Sequence, residues 1–120
     1  MKLIEYQKKA MVTCMPSCQN YNYMFGNLVG ETGEFSSKVS KAQRKKELHF
    51  IDGQIVFDCS GERAAELSHE LMLEAGDMLW RLAGLCYVMG WDMDYVAKEN
   101  LSKLASRQQR GVIDGNGDNR

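Results

Sequence analysis

Hydrophobic residues recur at helical spacing along most of the chain and predict four helices. The first is predicted from Leu3 to Thr13 and ends before Pro16, because proline cannot continue a helix. Its inner face would comprise Leu3, Ile4, Met11 and Cys14. The second begins at Asn20, a favourable cap, and carries apolar residues on one face: Tyr21, Met24, Phe25, Leu28, Phe35, Val39 and Ala42.

The third predicted helix, from Glu62 to Met89, is apolar on nearly every side after Met72. A helix of this kind is buried all round, which one chain of 120 residues cannot readily provide. We therefore expect a homodimer or homotetramer whose interface uses this helix. The fourth helix is predicted from a cap at Asp92 to Arg110, and Gly111 ends it.

A short β-hairpin is predicted between the second and third helices. Two β-prone runs, His49–Ile51 and Gln54–Phe57, flank Asp52 and Gly53, which suit a tight turn that needs positive φ. The predicted fold is therefore all-α, a four- to five-helix bundle with paired antiparallel central helices and this small hairpin. Residues 1–120 would form a single domain, with 111–120 as a flexible tail.

Composition excludes several classes of function. A net charge of −1 and a pI near 6.1 provide no overall attraction to a nucleic acid polymer or to an anionic membrane. The apolar runs are too short to span a bilayer or to form a signal peptide, so we expect a cytoplasmic protein. The four cysteines are expected to be free thiols, because Cys14 and Cys18 lack the spacing and the second pair of a zinc site.

Two carboxylates interrupt the apolar face of the second helix. Glu31 and Glu34 are three residues apart, and the pattern returns 43 positions later as Glu74 and Asp77 in the third helix. Both pairs point inward at about 100° per residue, so antiparallel packing would bring all four together. Four such charges need cations, and an all-oxygen site favours Mg²⁺ or Mn²⁺.

Other interpretations of the acidic repeat remain open. Each pair taken alone could be an ordinary exposed surface pattern. The repeat could also reflect an internal symmetry of the fold and have no catalytic role. A di-iron site is disfavoured, since only Glu66 and His69 match the required motif and His69 points away. The mid-helix glycines Gly33 and Gly76 predict close approach of another helix, either within the chain or across the subunit interface.

Cations lie near the acidic pairs and along the fourth helix. Lys38 and Arg81 follow the carboxylates by one turn, while Asn100, Lys103, Arg107 and Arg110 share one face of the fourth helix. Metal, lysine and guanidinium together are typical of polyphosphate binding. The tail could add backbone N–H groups and Arg120. A solvated polar face is the alternative for the fourth helix.

The chain resembles the MazG-like, all-α nucleoside triphosphate pyrophosphohydrolases. The resemblance rests on GETGE at 30–34, on LEAGDMLWRLAGL at 73–85, and on ENLSKLASRQQRG followed by DGNGDNR. It implies a helical bundle in dimers or tetramers that cleaves a (deoxy)nucleoside triphosphate to the monophosphate and pyrophosphate. It also implies that Glu31, Glu34, Glu74 and Asp77 bind Mg²⁺ and that Asn100, Lys103 and Arg107 bind phosphate or sugar.

A mechanism follows from the resemblance as a hypothesis. Metal-bound water would attack the α-phosphorus, with Glu34 orienting the water and Lys103 and Arg107 neutralising the departing pyrophosphate. Trp80 is expected on the far side of its helix from the carboxylates, so the base of the nucleotide would instead contact Tyr6 or Tyr21. A non-catalytic nucleotide-binding regulatory module and a purely structural helical oligomer remain as alternatives.

Overall fold

A computed structural model of the chain describes residues 1–115 and 117. These residues form four α-helices and one β-hairpin, which confirms the predicted all-α class. In chain order the elements are α1 (Leu3–Met11), a 3₁₀ turn (Pro16–Cys18), α2 (Tyr21–Arg44), β1 (Leu48–Ile51), β2 (Gln54–Phe57), α3 (Gly61–Val88) and α4 (Met93–Gln109). The predicted flexible tail, 111–120, lies partly outside the described residues.

Side-chain caps begin the three longer helices. Asn20 Oδ1 accepts a hydrogen bond from the Tyr23 N–H at 2.8 Å, and Asp92 Oδ1 accepts one from the Asp94 N–H at 2.7 Å. Both predicted starts are confirmed, because these oxygens satisfy N–H groups that the first turn leaves unpaired. Ser60 caps α3 in the same way and starts it one residue earlier than predicted.

The first helix differs from its prediction in length and in part of its inner face, although Cys14 is buried and Met11 packs against a buried cluster, as predicted. It ends at Met11 rather than Thr13, and Leu3 is exposed. Its buried side chain is Gln7, whose amide donates to the Trp91 carbonyl oxygen at 2.9 Å and accepts from the Met93 N–H at 3.2 Å. The amide therefore ties α1 to the turn between α3 and α4, where an apolar side chain would leave these polar groups unpaired.

The central helices α2 and α3 run antiparallel, as predicted. The order of their contacts shows this: Met24 lies against Gly84, Glu31 against Arg81, Lys38 against Glu74, and Ala42 against Leu67. This pairing is the most extensive in the molecule. It brings the two acidic stretches to the same level of the bundle.

Close approach of the central helices occurs at a glycine that the sequence analysis did not single out. A Cβ atom on Gly84 would collide with the fully buried side chain of Met24. At Gly33 and Gly76, where close approach was predicted, an added Cβ would meet nothing within 4 Å in this chain. Within the described residues of one chain, close approach therefore does not occur at those two glycines, and close approach across a subunit interface stays a prediction.

The predicted β-hairpin is present and is anchored at its base. Strands β1 and β2 pair with Leu48 opposite Phe57, and the turn residues Asp52 and Gly53 have φ values of 50° and 76°. Leu48 is buried against α2 and α3, whereas the tip is exposed. The hairpin thus packs on the bundle, as a two-stranded sheet must in water.

Apolar side chains remain exposed on α3 in the single chain. The exposed residues on this helix are Met72, Leu73, Leu79, Leu82 and Tyr87. The radius of gyration is 17.7 Å, compared with about 14 Å for a compact domain of this length. Complete burial of α3 is therefore not achieved within one protomer, and the oligomer stays a prediction. Among the described residues no helix is long and apolar enough to span a membrane.

Candidate metal and phosphate site

Three of the four predicted carboxylates converge where α2 and α3 face each other. One oxygen each from Glu31, Glu74 and Asp77 lies within 4.8 Å of the other two. Glu31 is half-buried, Glu74 is buried and Asp77 is exposed, so the group opens from the helix interface toward solvent. Glu74 and Asp77 share one face of α3 because they are three residues apart, and Glu31 faces them from α2.

Glu34, the fourth predicted carboxylate, lies at the solvent rim of this group. Its side chain is exposed and does not belong to the set of three converging oxygens. The pKa of Glu34 is raised, first by the negative charge of Glu31 and then by desolvation, with smaller effects from Glu74 and Asp77. Glu34 therefore holds a proton more readily than an isolated glutamate does.

Two cations compensate the converging carboxylates. Lys38 Nζ lies 2.8 Å from Glu74 Oε1, and Arg81 Nη2 lies 3.3 Å from Glu31 Oε1. Each pair joins α2 to α3. Both cations were expected beside the site, and the contacts show that each binds one carboxylate directly.

One buried oxygen of the carboxylate group lacks a hydrogen-bond partner among the described residues. Glu74 Oε2 is buried and has no hydrogen-bond partner among residues 1–115 and 117. A buried carboxylate oxygen without a partner is costly, and a bound cation would satisfy it. Because the converging ligands are all oxygens, the residues fit Mg²⁺ or Mn²⁺ rather than a metal that prefers nitrogen or sulfur.

Aromatic side chains form the wall of a cavity beside the carboxylates. The cavity has a volume of about 280 Å³ and is lined by Tyr23, Glu31, Asp77, Trp80 and Arg81. The expectation that Trp80 lies on the far side of α3 is therefore wrong. Trp80 follows Asp77 by three residues, which places it only about 60° away around the helix.

The guanidinium of Arg81 lies over two aromatic rings. Its central carbon lies 4.9 Å from the ring centroids of both Tyr23 and Trp80. The Trp80 indole N–H in turn donates to the Ala10 carbonyl oxygen at 3.2 Å and to Thr13 Oγ1 at 2.9 Å. The end of α1 thereby helps to set the position of Arg81, a role that the sequence analysis did not predict.

Tyr6 approaches the site from α1. Burial raises the pKa of the Tyr6 hydroxyl, and the nearby charge of Asp77 raises it further. Tyr21, the other tyrosine expected to contact the base of the nucleotide, is exposed and stacks on Phe25 with ring centroids 5.6 Å apart. Of the two tyrosines, Tyr6 is thus the one that interacts with the carboxylate group.

The predicted phosphate-binding residues of α4 belong to a different part of the structure. Helix α4 packs mainly on α1, and Asn100, Lys103 and Arg110 are exposed. Arg107 is buried and donates from Nη2 to the Gly117 carbonyl oxygen at 3.4 Å. Arg120 lies outside the described residues. The ion pairs of the carboxylate group within the described chain come from Lys38 and Arg81.

A larger cavity, of about 560 Å³, lies between α1 and the turn that joins α3 to α4. Its lining is mostly apolar, with Lys8 and Asp92 as its charged side chains. It contains none of the converging carboxylates, so the smaller cavity is the one associated with the chemistry.

Comparison with known proteins agrees with the geometry of this site. Residues 19–112 match the model of the MazG nucleotide pyrophosphohydrolase domain. The chain belongs to the MazG family. A relative, the Gene 37 protein of Mycobacterium phage L5, is 38% identical over 104 residues, which are 87% of this chain and 80% of the phage protein. Its name states no activity. No solved structure matches the chain significantly.

The MazG match contains the whole carboxylate group but not α1. Glu31, Glu34, Glu74 and Asp77 all lie between residues 19 and 112, whereas α1 ends at Met11. The contacts of Trp80 with Ala10 and Thr13 therefore connect the matched MazG domain to a helix outside it.

Proposed function

We propose that the protein is a Mg²⁺-dependent nucleoside triphosphate pyrophosphohydrolase. Its substrate would be a ribo- or deoxyribonucleoside triphosphate, and its products the monophosphate and pyrophosphate. The observation that supports this most directly is the converging group of Glu31, Glu74 and Asp77, in which a buried oxygen of Glu74 lacks a partner among the described residues. Membership of the MazG nucleotide pyrophosphohydrolase family supports the same reaction.

In this proposal Glu31, Glu74 and Asp77 would hold Mg²⁺, and Mn²⁺ could replace it. Glu34 would either complete this ligand set or act on the attacking water. A bound divalent ion supplies charge neutralisation for the phosphate oxygens and lowers the pKa of a bound water. The all-oxygen donor set supports this assignment.

Glu34 is the proposed general base. Its exposed side chain is accessible to water and lies beside the converging carboxylates, where the attacking water would be placed. The water oxygen forms a bond to the α-phosphorus while its proton passes to Glu34. The bond between that phosphorus and the bridging oxygen breaks, and pyrophosphate leaves with the electron pair.

The triphosphate would be held by cations on both sides of the carboxylates. Lys38 and Arg81 already lie at the site, where they pair with Glu74 and Glu31. We further propose that the polar face of α4 and the tail bind phosphate or sugar, through Asn100, Lys103, Arg107, Arg110 and Arg120. Because α4 packs mainly on α1, this face would serve the same site or that of another protomer.

We also propose that the protein acts as a homodimer or homotetramer in the cytoplasm, where nucleoside triphosphates are found. The exposed apolar residues of α3, among them Met72, Leu73 and Leu82, support a self-association surface. Mass measurement in solution tests the assembly. A monomer at micromolar concentration would contradict it.

The reaction can be tested by resolving its products. The protein should be incubated with Mg²⁺ and a panel of canonical and damaged nucleoside triphosphates, in the presence and absence of a chelator. We expect the monophosphate and pyrophosphate in equal amounts, and neither product when the metal is chelated. Release of orthophosphate with a diphosphate would contradict attack at the α-phosphorus. Metal-linked nucleotide binding without any product would instead identify a non-catalytic binding module.

A further inference from the structure

The cations of this site compensate part of the carboxylate charge. Four carboxylates lie at or beside the site, and Lys38 and Arg81 each pair with one of them. Two negative charges then remain uncompensated, which is the charge of one divalent ion. Opposite charges at these separations interact much more strongly than in open water, because the pairs are partly withdrawn from solvent.

Arg81 is held as part of the structure. Only 17% of its side chain is exposed, and its guanidinium lies 4.9 Å from the rings of both Tyr23 and Trp80. The Trp80 indole is itself hydrogen-bonded to Ala10 and Thr13. These contacts hold the guanidinium in place, so that it donates a hydrogen bond to Glu31 Oε1 from a fixed position.

The converging carboxylates suit one coordination shell. Lys38 and Arg81 pair with Oε1 of Glu74 and Glu31, and the second oxygen of Glu74 is buried without a described partner. In a single Mg²⁺ shell, neighbouring oxygens are about 3 Å apart and opposite oxygens about 4 Å apart. One oxygen each of Glu31, Glu74 and Asp77 lies within 4.8 Å of the other two, so small side-chain adjustments would bring three oxygens into such a shell.

Two-metal sites place their ions about 3.5–4 Å apart and use them to neutralise both the attacking and the leaving oxygen. A second ion here would add two positive charges to a site whose remaining negative charge one divalent ion already balances. We propose that the nucleotide-free protein binds one divalent ion per chain and that Lys38 and Arg81 stand in for a second. This inference rests on the proposed function, because it concerns the same metal site.

The number of bound ions can be measured without any turnover. Mn²⁺ would be titrated into nucleotide-free protein at constant ionic strength, and free Mn²⁺ followed by electron paramagnetic resonance. We expect one Mn²⁺ per chain in the wild type. Glu66→Gln is the matched control, because Glu66 is an exposed carboxylate of α3 and pairs with Arg63 outside the site. This variant should still bind one Mn²⁺ per chain.

Removing the internal cations should change Mn²⁺ binding in a defined direction. Lys38→Met and Arg81→Met each remove a positive charge beside the ion, so each should tighten the first Mn²⁺ by at least about fivefold. The double variant should bind a second Mn²⁺ per chain. If the double variant does not fold, as judged by circular dichroism, the two single variants carry the test.

The outcomes separate this inference from the proposed function. Two ions on the wild-type chain would overturn the one-ion inference and leave the hydrolase proposal standing. Unchanged or weaker Mn²⁺ binding in both single variants would overturn the role given to the two cations. Absence of Mn²⁺ binding in the folded wild type would remove the metal site, and the proposed function would fall with it.

Discussion

The carboxylate face of α2 and α3 differs from the polar face of α4 in how its charges are held. In the first region, charges on one helix meet opposite charges on the other, as in the pairs Lys38–Glu74 and Arg81–Glu31. On α4, the buried Arg107 reaches a backbone carbonyl oxygen at Gly117, while Lys103 is exposed. Metal binding should therefore depend on α2 and α3 alone. Substrate binding should depend on α4 as well.

The largest expected effect comes from the carboxylate face. Glu74→Gln or Asp77→Asn removes a ligand charge while keeping the side-chain shape. Each should lower kcat/KM for a nucleoside triphosphate by at least about 100-fold, since even outer-shell changes cost 10- to 100-fold. Steady-state kinetics would measure the loss of kcat/KM, and Mn²⁺ titration would measure the loss of metal affinity. Glu66→Gln on the same helix should behave like the wild type, and near-normal activity of Asp77→Asn would exclude that residue from the site.

Part of this site could be predicted from the sequence, because its signals are local. Three-residue spacing within each acidic pair, on a face that is otherwise apolar, identified Glu31 and Glu34 and their counterparts Glu74 and Asp77. The caps at Asn20 and Asp92 and the turn at Asp52-Gly53 also depend on neighbouring residues only. Such features need no knowledge of how distant helices align.

The features that were missed depend on the register between helices. Gln7 is buried because it meets backbone groups of α3 and of the turn after it, some eighty residues away in sequence. Gly84 matters only because Met24 lies opposite. Trp80 was placed on the wrong side of α3, and its partners Ala10 and Thr13 belong to another helix and its end. A single sequence does not reveal these pairings.

Gly84 offers a test of whether the register of α2 and α3 supports the carboxylate face. A methyl group at Gly84 would collide with Met24, so Gly84→Ala should destabilise the fold by about 1–3 kcal/mol. Gly76→Ala is the matched control on the same helix. A Cβ at Gly76 would meet nothing within 4 Å, so this substitution should stabilise the fold by up to about 1 kcal/mol. Denaturant unfolding would measure both. Equal stability of the two variants would contradict the close contact at Gly84.

The polar face of α4 can be separated from metal binding. Lys103→Met should raise KM for the triphosphate about tenfold, which corresponds to about 1.4 kcal/mol, without changing Mn²⁺ affinity. Lys98→Met removes another exposed lysine of α4 and serves as the control. A change of Mn²⁺ affinity in Lys103→Met would show that the two regions are not independent. An unchanged KM would remove Lys103 from the substrate-binding face.

The smallest expected effect concerns the contact between α1 and Trp80. Thr13→Val removes the hydroxyl that accepts the indole N–H, but the Ala10 carbonyl oxygen remains available. The loss should therefore be about 1 kcal/mol of stability, and the emission of Trp80 should shift in a Trp91→Phe background. Thr13→Ser keeps the hydroxyl and should restore both properties. If Thr13→Val raises KM for the triphosphate while Thr13→Ser does not, α1 contributes to substrate binding by positioning Arg81 through Trp80. If KM is the same in both variants, the contact only stabilises the fold, and the carboxylate face functions without help from α1.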